Sequence, residues 1–217
     1  MRTAGFWVLL ATLSLGSGPA PAAIAQTAPA APAHVLRPGV TRLTNAALAY
    51  RPAQLAEPAA VVVLLHGAGD KADRFLKEFT KFADERGNLL LALESKAISW
   101  PRRAQEVSRG SDAANFDAAL AALSARTPVD SSRIVLLGFS DGASHALSFG
   151  LARPKTFRAI LAMSPGYAFA PRRADPTQPI FIAHGRRDTV LPAANVREMI
   201  KGLEGAGYRP EVRWFNG

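Results

Sequence analysis

The chain has 217 residues, no cysteine and a formal net charge of +9. The absence of cysteine excludes a disulfide framework and a cysteine-linked lipid anchor. The excess positive charge is mostly arginine scattered along the chain, without the clustered basic stripe of a nucleic-acid-binding surface. The composition therefore predicts a protein held together by its core, with no nucleic-acid partner. Its charge favours solubility or adhesion to the cell envelope over a specific anionic partner.

The first 25 residues have the pattern of a secretory signal peptide. Arg2 precedes an apolar run at 6–15, and Ala23-Ile24-Ala25 has the small-x-small form of a cleavage site. A membrane-spanning helix needs about 20 apolar residues, roughly twice this run. We predict cleavage before Gln26, a periplasmic or secreted protein without an integral membrane segment, and an Ala/Pro-rich tether over 26–40.

From residue 41 onwards the pattern alternates between strands and helices. The predicted strands are 41–50, 60–65, 89–93, 133–137, 157–162, 180–183 and 211–215, and the predicted helices are 73–86, 112–125, 141–153 and 193–203. Such alternation requires crossover connections, so one α/β domain is expected over 41–217, with a mainly parallel twisted sheet and helices on both faces. Ligands of such sheets bind at the carboxyl ends of the strands.

The segment Gly138-Phe139-Ser140-Asp141-Gly142 follows a predicted strand and precedes a predicted helix. A serine between two glycines at such a position is typical of a nucleophile elbow, a strained turn that lifts the serine Oγ clear of the sheet. The alternative is a surface turn that happens to share the spacing. The flanking strand and helix favour the elbow, with Ser140 as the nucleophile.

A glycine-rich segment, His66-Gly67-Ala68-Gly69, follows the apolar strand predicted at 60–65. Acyl transfer places negative charge on the former carbonyl oxygen, and two backbone N–H groups can stabilise it. The amides of Ala68 and Asp141 are the candidates for this oxyanion hole. The segment could instead be a turn that only ends a strand. A phosphate-binding loop is a weaker reading, because no Lys-Ser/Thr pair follows.

Asp188 lies in the loop after the strand predicted at 180–183 and follows Ser140 in chain order. This order is the one expected for the acid of an α/β-hydrolase, which orients a histidine and stabilises its protonated form. The alternative roles for Asp188 are a turn-forming side chain or the N-cap of the helix that begins after Pro192.

On these three segments the chain resembles the α/β-hydrolase superfamily, specifically the small serine esterases of the phospholipase/carboxylesterase type, over about 59–217. The resemblance implies a serine ester hydrolase that works through an acyl-enzyme on small-molecule carboxylic esters. It assigns Ser140 as nucleophile and Asp188 as acid, and it implies no metal or organic cofactor. The family's histidine follows the eighth strand, and no residue here matches it.

The chain contains four histidines, His34, His66, His145 and His184, and each is expected to be structural. The sequence stops at Gly217, where the family places its histidine, and the final helix of the fold is also missing. We therefore expect a chain truncated before its base, which is inactive as it stands. The missing histidine leaves open a non-catalytic binding protein, and a peptidase on the same fold is a second alternative.

The substrate pocket is expected beside the loop at 94–110, in which Trp100 either walls the pocket or packs on the body of the protein. The segment 165–179 is too short for a lid domain, so an open site for small or soluble esters is expected. Four arginines could favour an anionic ester or be solvated rim charges: Arg102, Arg103, Arg172 and Arg173.

Overall fold

The computed structural model describes residues 35–171 and 175–216. The predicted signal peptide and the first part of the predicted tether lie outside these residues. Leu36 is 2% exposed and its amide N–H binds the carbonyl oxygen of Arg126 over 3.1 Å. The fold therefore begins before residue 41, where the sequence places the start of the domain.

The described residues form one eight-stranded sheet in the order β1-β2-β4-β3-β5-β6-β7-β8. The strands are β1 Gly39–Thr44, β2 Ala47–Arg51, β3 Ala59–Leu65, β4 Leu89–Leu93, β5 Val129–Phe139, β6 Ala159–Met163, β7 Ile180–Gly185 and β8 Glu211–Phe215. The pairings β1–β2 and β2–β4 are antiparallel, and all the others are parallel. This arrangement confirms the predicted α/β-hydrolase fold.

Six helices connect these strands. They are α1 Ala72–Lys77, α2 Thr80–Arg86, α3 Ala104–Arg109, α4 Ser111–Ser124, α5 Asp141–Ala152 and α6 Ala193–Gly205. No helix follows β8 within the described part, which ends at Asn216. Among those same residues, no helix combines the length and the apolar character that crossing a membrane requires.

Apolar side chains fill both faces of the sheet. Val61 and Val63 of β3 belong to a core cluster with α3 to α6, whereas Val62 and Leu64 belong to a second cluster with α1 and α2. Successive side chains of a strand point to opposite faces, so a strand covered on both sides must be apolar throughout. Because β3, β5, β6 and β7 are parallel, their carboxyl ends lie at the same edge of the sheet, where the loops that follow them meet.

Three local elements differ from the prediction. The strand predicted at 41–50 is a hairpin of β1 and β2, and the helix predicted at 73–86 is divided into α1 and α2 around Phe79. The predicted loop at 94–110 contains the helix α3. None of these differences moves the elements that carry the candidate site.

Candidate active site

Ser140 lies on a strained turn between β5 and α5. Its backbone has φ 55° and ψ −121°, a left-handed conformation that costs a non-glycine residue about 1–3 kcal/mol. The side chain is partly exposed. The amide N–H of Ser140 donates to the carbonyl oxygen of Met163 at the end of β6 over 2.8 Å, so the turn is held by the neighbouring strand. This is the backbone of a nucleophile elbow.

The two glycines that flank the elbow have no room for a side chain. A Cβ on Gly138 would overlap the carbonyl oxygen of Gly142, and a Cβ on Gly142 would overlap the carbonyl oxygens of Leu65 and His66. Gly142 therefore permits the first turn of α5 to lie against the end of β3. Gly138 in turn permits the end of β5 to lie against the backbone of the same helical turn.

The loop after β3 passes directly beside Ser140. A Cβ placed on Gly67 would lie 3.5 Å from the Cβ of Ser140. The amide of Gly69 donates to the carbonyl oxygen of Ile98 over 2.7 Å, but the amides of Ala68 and Asp141 have no acceptor among the described residues. Both amides that the sequence names as oxyanion donors are therefore unpaired in the described structure.

His66 holds this loop in place. Its ring is 1% exposed, with Nδ1 at 2.7 Å from the carbonyl oxygen of Gly67 and Nε2 accepting the amide N–H of Ser95 over 3.3 Å. These contacts require a neutral ring protonated on Nδ1. His66 is therefore structural, as the sequence predicts, and both of its ring nitrogens have a hydrogen-bond partner.

Asp188 follows β7, in the loop at the same edge of the sheet. Its Oδ1 accepts the amide N–H groups of Val190 and Leu191, both over 2.9 Å, and its carboxylate is about one-fifth exposed. The Leu191 amide is the main cause that lowers the pKa of Asp188 below its ordinary value, so the group is ionised at neutral pH. Its second oxygen lies 3.9 Å from Nε2 of His184. Asp188 thus forms the turn named as its alternative role, and keeps one oxygen available.

The other two described histidines, His145 and His184, are also buried. The ring of His145 is 2% exposed and lies between Trp100 and Phe149, with centroids 5.0 and 5.7 Å away. Burial lowers the pKa of His145 to about 4. His184 is fully buried, with Nε2 at 2.8 Å from the carbonyl oxygen of Leu191. Within residues 35–171 and 175–216, all three histidine rings are buried.

Trp100 is 3% exposed, and its indole N–H donates to the carbonyl oxygen of His66 over 2.7 Å. Its ring also packs on His66, with the centroids 5.1 Å apart. Such a ring offers almost no surface to a substrate. Of the two roles expected for Trp100, packing on the body of the protein agrees with this position.

The structure adds polar groups that the sequence does not single out. The Ser144 hydroxyl of α5 accepts the amide N–H groups of Gly166 and Tyr167 over 2.9 and 3.3 Å, which fixes the loop after β6. Ser164, in that loop, has a positive φ of 52° and donates its amide N–H to Ala183 of β7. These partners are about 20 residues apart, so no local sequence pattern signals them.

The sheet order and its covering helices define the class of protein, one with the α/β-hydrolase fold. A family model described as Phospholipase/Carboxylesterase matches residues 105–214, about half of the chain. The chain belongs to the phospholipase/carboxylesterase family. A search of curated protein sequences gives no match.

Solved structures agree on the fold. The chain is similar to an acetyl xylan esterase from Aspergillus awamori, with 17% identity, a TM-score of 0.64 and 74% of each chain covered. It is similar to a Bacillus cereus carboxylesterase, with 18% identity, a TM-score of 0.59 and 78% and 84% of the two chains covered. Esterase PE8 is 25% identical, with a TM-score of 0.55 over 75% of this chain and 86% of the other.

Proposed function

We propose that this protein is a serine ester hydrolase that acts through an acyl-enzyme on small or soluble carboxylic esters. The observation that carries the proposal is the strained Ser140, which lies between two glycines that admit no side chain and beside two unpaired amides. Backbone strain of this kind persists only where the surrounding structure enforces it. Family membership supports a hydrolase of esters.

In the proposed reaction, the Ser140 Oγ attacks the ester carbonyl carbon and transfers its proton to a base. The carbonyl oxygen becomes an oxyanion and accepts hydrogen bonds from the amides of Ala68 and Asp141. Collapse of this intermediate breaks the bond to the alcohol oxygen, which takes the proton from the base. Water then attacks the acyl-enzyme by the same steps and releases the acid and Ser140.

The base is proposed to be a histidine that follows β8, beyond Gly217. Its support is the position of Asn216, the last described residue: Arg186 donates its amide N–H to the carbonyl oxygen of Phe215 over 2.8 Å, and Arg187 contacts the carbonyl oxygen of Asn216 over 3.3 Å. The chain thus leaves β8 beside the Asp188 loop. The free oxygen of Asp188 would accept the N–H of that imidazole and hold the ring.

The nucleophile is tested with a fluorophosphonate probe and the protein expressed from its complete gene. Labelling is expected on Ser140 alone and is lost in Ser140→Ala. Ser108→Ala is the matched control, because Ser108 lies on α3 and its hydroxyl bonds only to carbonyl oxygens of its own segment. Labelling elsewhere, or undiminished labelling after Ser140→Ala, would refute the serine mechanism and leave a non-catalytic binding protein as the alternative.

Export is the second part of the proposal, and it rests on the sequence of residues 1–25. The mature protein recovered from an exporting host is expected to begin at or near Gln26, in the periplasm or the medium. N-terminal sequencing of the soluble form measures this. A mature protein that retains Met1 contradicts cleavage.

A further inference from the structure

A second charged group lies next to the nucleophile. Asp141 follows Ser140 directly, and its carboxylate is only 12% exposed. Its own amide N–H is one of the two proposed oxyanion donors. A reaction that builds negative charge beside an ionised, largely buried carboxylate is disfavoured by like-charge repulsion, unless that carboxylate is paired.

One loop supplies the partners of this carboxylate. The Ser99 hydroxyl donates to Oδ2 of Asp141 over 2.6 Å, and Nη2 of Arg102 donates to Oδ1 and Oδ2 over 2.9 and 2.8 Å. Both residues belong to the segment between β4 and α3, about 40 residues before Asp141. The Arg102 side chain is 67% exposed, so its charge remains in contact with solvent.

The arginine is also held from its other side. Its guanidinium carbon lies 5.9 Å from the ring centroid of Tyr167, in the loop after β6. The hydrogen bond with Asp141 raises the pKa of Arg102 above its ordinary value. From its exposure alone, Arg102 would be interpreted as a solvated charge at the rim of the site. Its hydrogen bonds to the Asp141 carboxylate instead fix its side chain next to Ser140.

We propose that Arg102 is a positioning residue for ester hydrolysis: with Ser99 it neutralises Asp141 and fixes that residue's amide towards the oxyanion. The inference rests on the proposed serine mechanism. Removal of the positive charge leaves an uncompensated carboxylate next to the developing oxyanion. The penalty therefore falls on the transition state and lowers kcat, while KM for an uncharged ester changes little.

The test is a double-mutant cycle on the complete protein with p-nitrophenyl butyrate, an uncharged ester. Arg102→Ala is expected to lower kcat about tenfold or more, with KM within about threefold. In the Asp141→Asn background, the same Arg102→Ala change is expected to alter kcat by less than about twofold, because no carboxylate remains to be neutralised. Arg102→Lys should restore most of kcat, because a single nitrogen makes both contacts in the native protein.

Arg103→Ala is the matched control, because Arg103 carries the same charge in the same loop but pairs with Glu106. It is expected to leave kcat unchanged. Equal losses from Arg102→Ala in both backgrounds, or a change confined to KM, overturn the positioning role while the serine mechanism stands. An unsubstituted protein without Ser140-dependent hydrolysis overturns both. If Arg102→Ala fails to fold, Arg102→Gln and Ser99→Ala are compared in the same two backgrounds, with the same criteria.

Discussion

The indole N–H of Trp100 and the carbonyl oxygen of His66 are 2.7 Å apart, and this hydrogen bond joins the loop after β4 to the loop after β3. Both groups are buried. The contact therefore fixes the loop after β3 against the loop after β4.

Trp100→Phe is expected to destabilise the protein by about 1–3 kcal/mol, because the His66 carbonyl oxygen loses its partner in a buried site. The free energy of unfolding in urea measures this loss. Trp214→Phe is the control, since no hydrogen bond of the Trp214 indole is recorded among the described residues and its ring is only partly buried. Equal losses in both variants would contradict the role assigned to the Trp100 hydrogen bond.

Gly142→Ala and Gly202→Ala are expected to have opposite effects. At Gly142 a Cβ would overlap two carbonyl oxygens of the β3 end, so folding must displace backbone, and a loss of several kcal/mol is expected. At Gly202, inside α6, a Cβ meets nothing within 4 Å, so alanine should stabilise by about 0.5–1 kcal/mol. Thermal unfolding of the two variants measures both. A Gly142→Ala protein as stable as the unsubstituted one would show that the elbow has more room than the structure gives it.

Acidification is expected to destabilise the fold through His145. Burial lowers its pKa from 6.5 to about 4, so the unfolded chain binds the proton more tightly than the native protein. The stabilisation is fully present above about pH 6.5 and is lost as the pH falls towards 4, on the order of 3 kcal/mol in total. Urea unfolding at several pH values, compared with His145→Phe, isolates this contribution. Parallel pH profiles of the two proteins would refute it.

Short acyl chains are expected to be hydrolysed faster than long ones. Residues 164–179 connect β6 to β7, and those that the structure describes form neither helix nor strand. No covering domain can be built from so short a connection, and an open cleft gives a long chain little apolar surface. The ratio kcat/KM for acetyl, butyryl and palmitoyl p-nitrophenyl esters measures the preference. A maximum at palmitoyl would contradict an open site.

A protein that ends at Gly217 is expected to be nearly inactive. The three described histidines are buried, the proposed base lies after Gly217, and loss of the base in a comparable triad costs about a millionfold in turnover. Hydrolysis by this protein and by the product of the complete gene is compared at equal concentration. Ser140-dependent hydrolysis at ordinary enzyme rates by the shorter protein would show that the base lies within these 217 residues.

The long-range architecture was predictable from the sequence because buried parallel strands are uniformly apolar. The predicted strand at 89–93 is buried throughout and coincides with β4, whereas the one at 211–215 alternates exposed and half-buried residues and coincides with β8. The segment 73–86 has the continuous amphipathic spacing of one helix. In the structure the helix is interrupted near Phe79, and both of the resulting short helices bury apolar residues. Spacing alone cannot detect such a break, because the apolar pattern continues across it.

The position of the candidate site was predictable from the sequence, but the residues that contact Asp141 beside it were not. The elbow and its glycines are local in sequence, so their spacing carries the signal. The partners of Asp141 are 39 and 42 residues away, and their contact depends on how the loop after β4 folds back. No period or motif encodes that contact. The exposed arginine therefore looks like any other surface charge in the sequence.

The backbone contacts of Ser140 and Ser164 have a consequence for the order of assembly. Ser140 binds the end of β6, and Ser164, the other non-glycine residue described with a positive φ, binds β7. Each strained turn is enforced by a strand that is synthesised later, across a long sequence separation, and such contacts are slow to form. A nascent or partly folded chain would carry the serine in a relaxed conformation. The strained conformation of Ser140 would then mark the docking of β6 against β5.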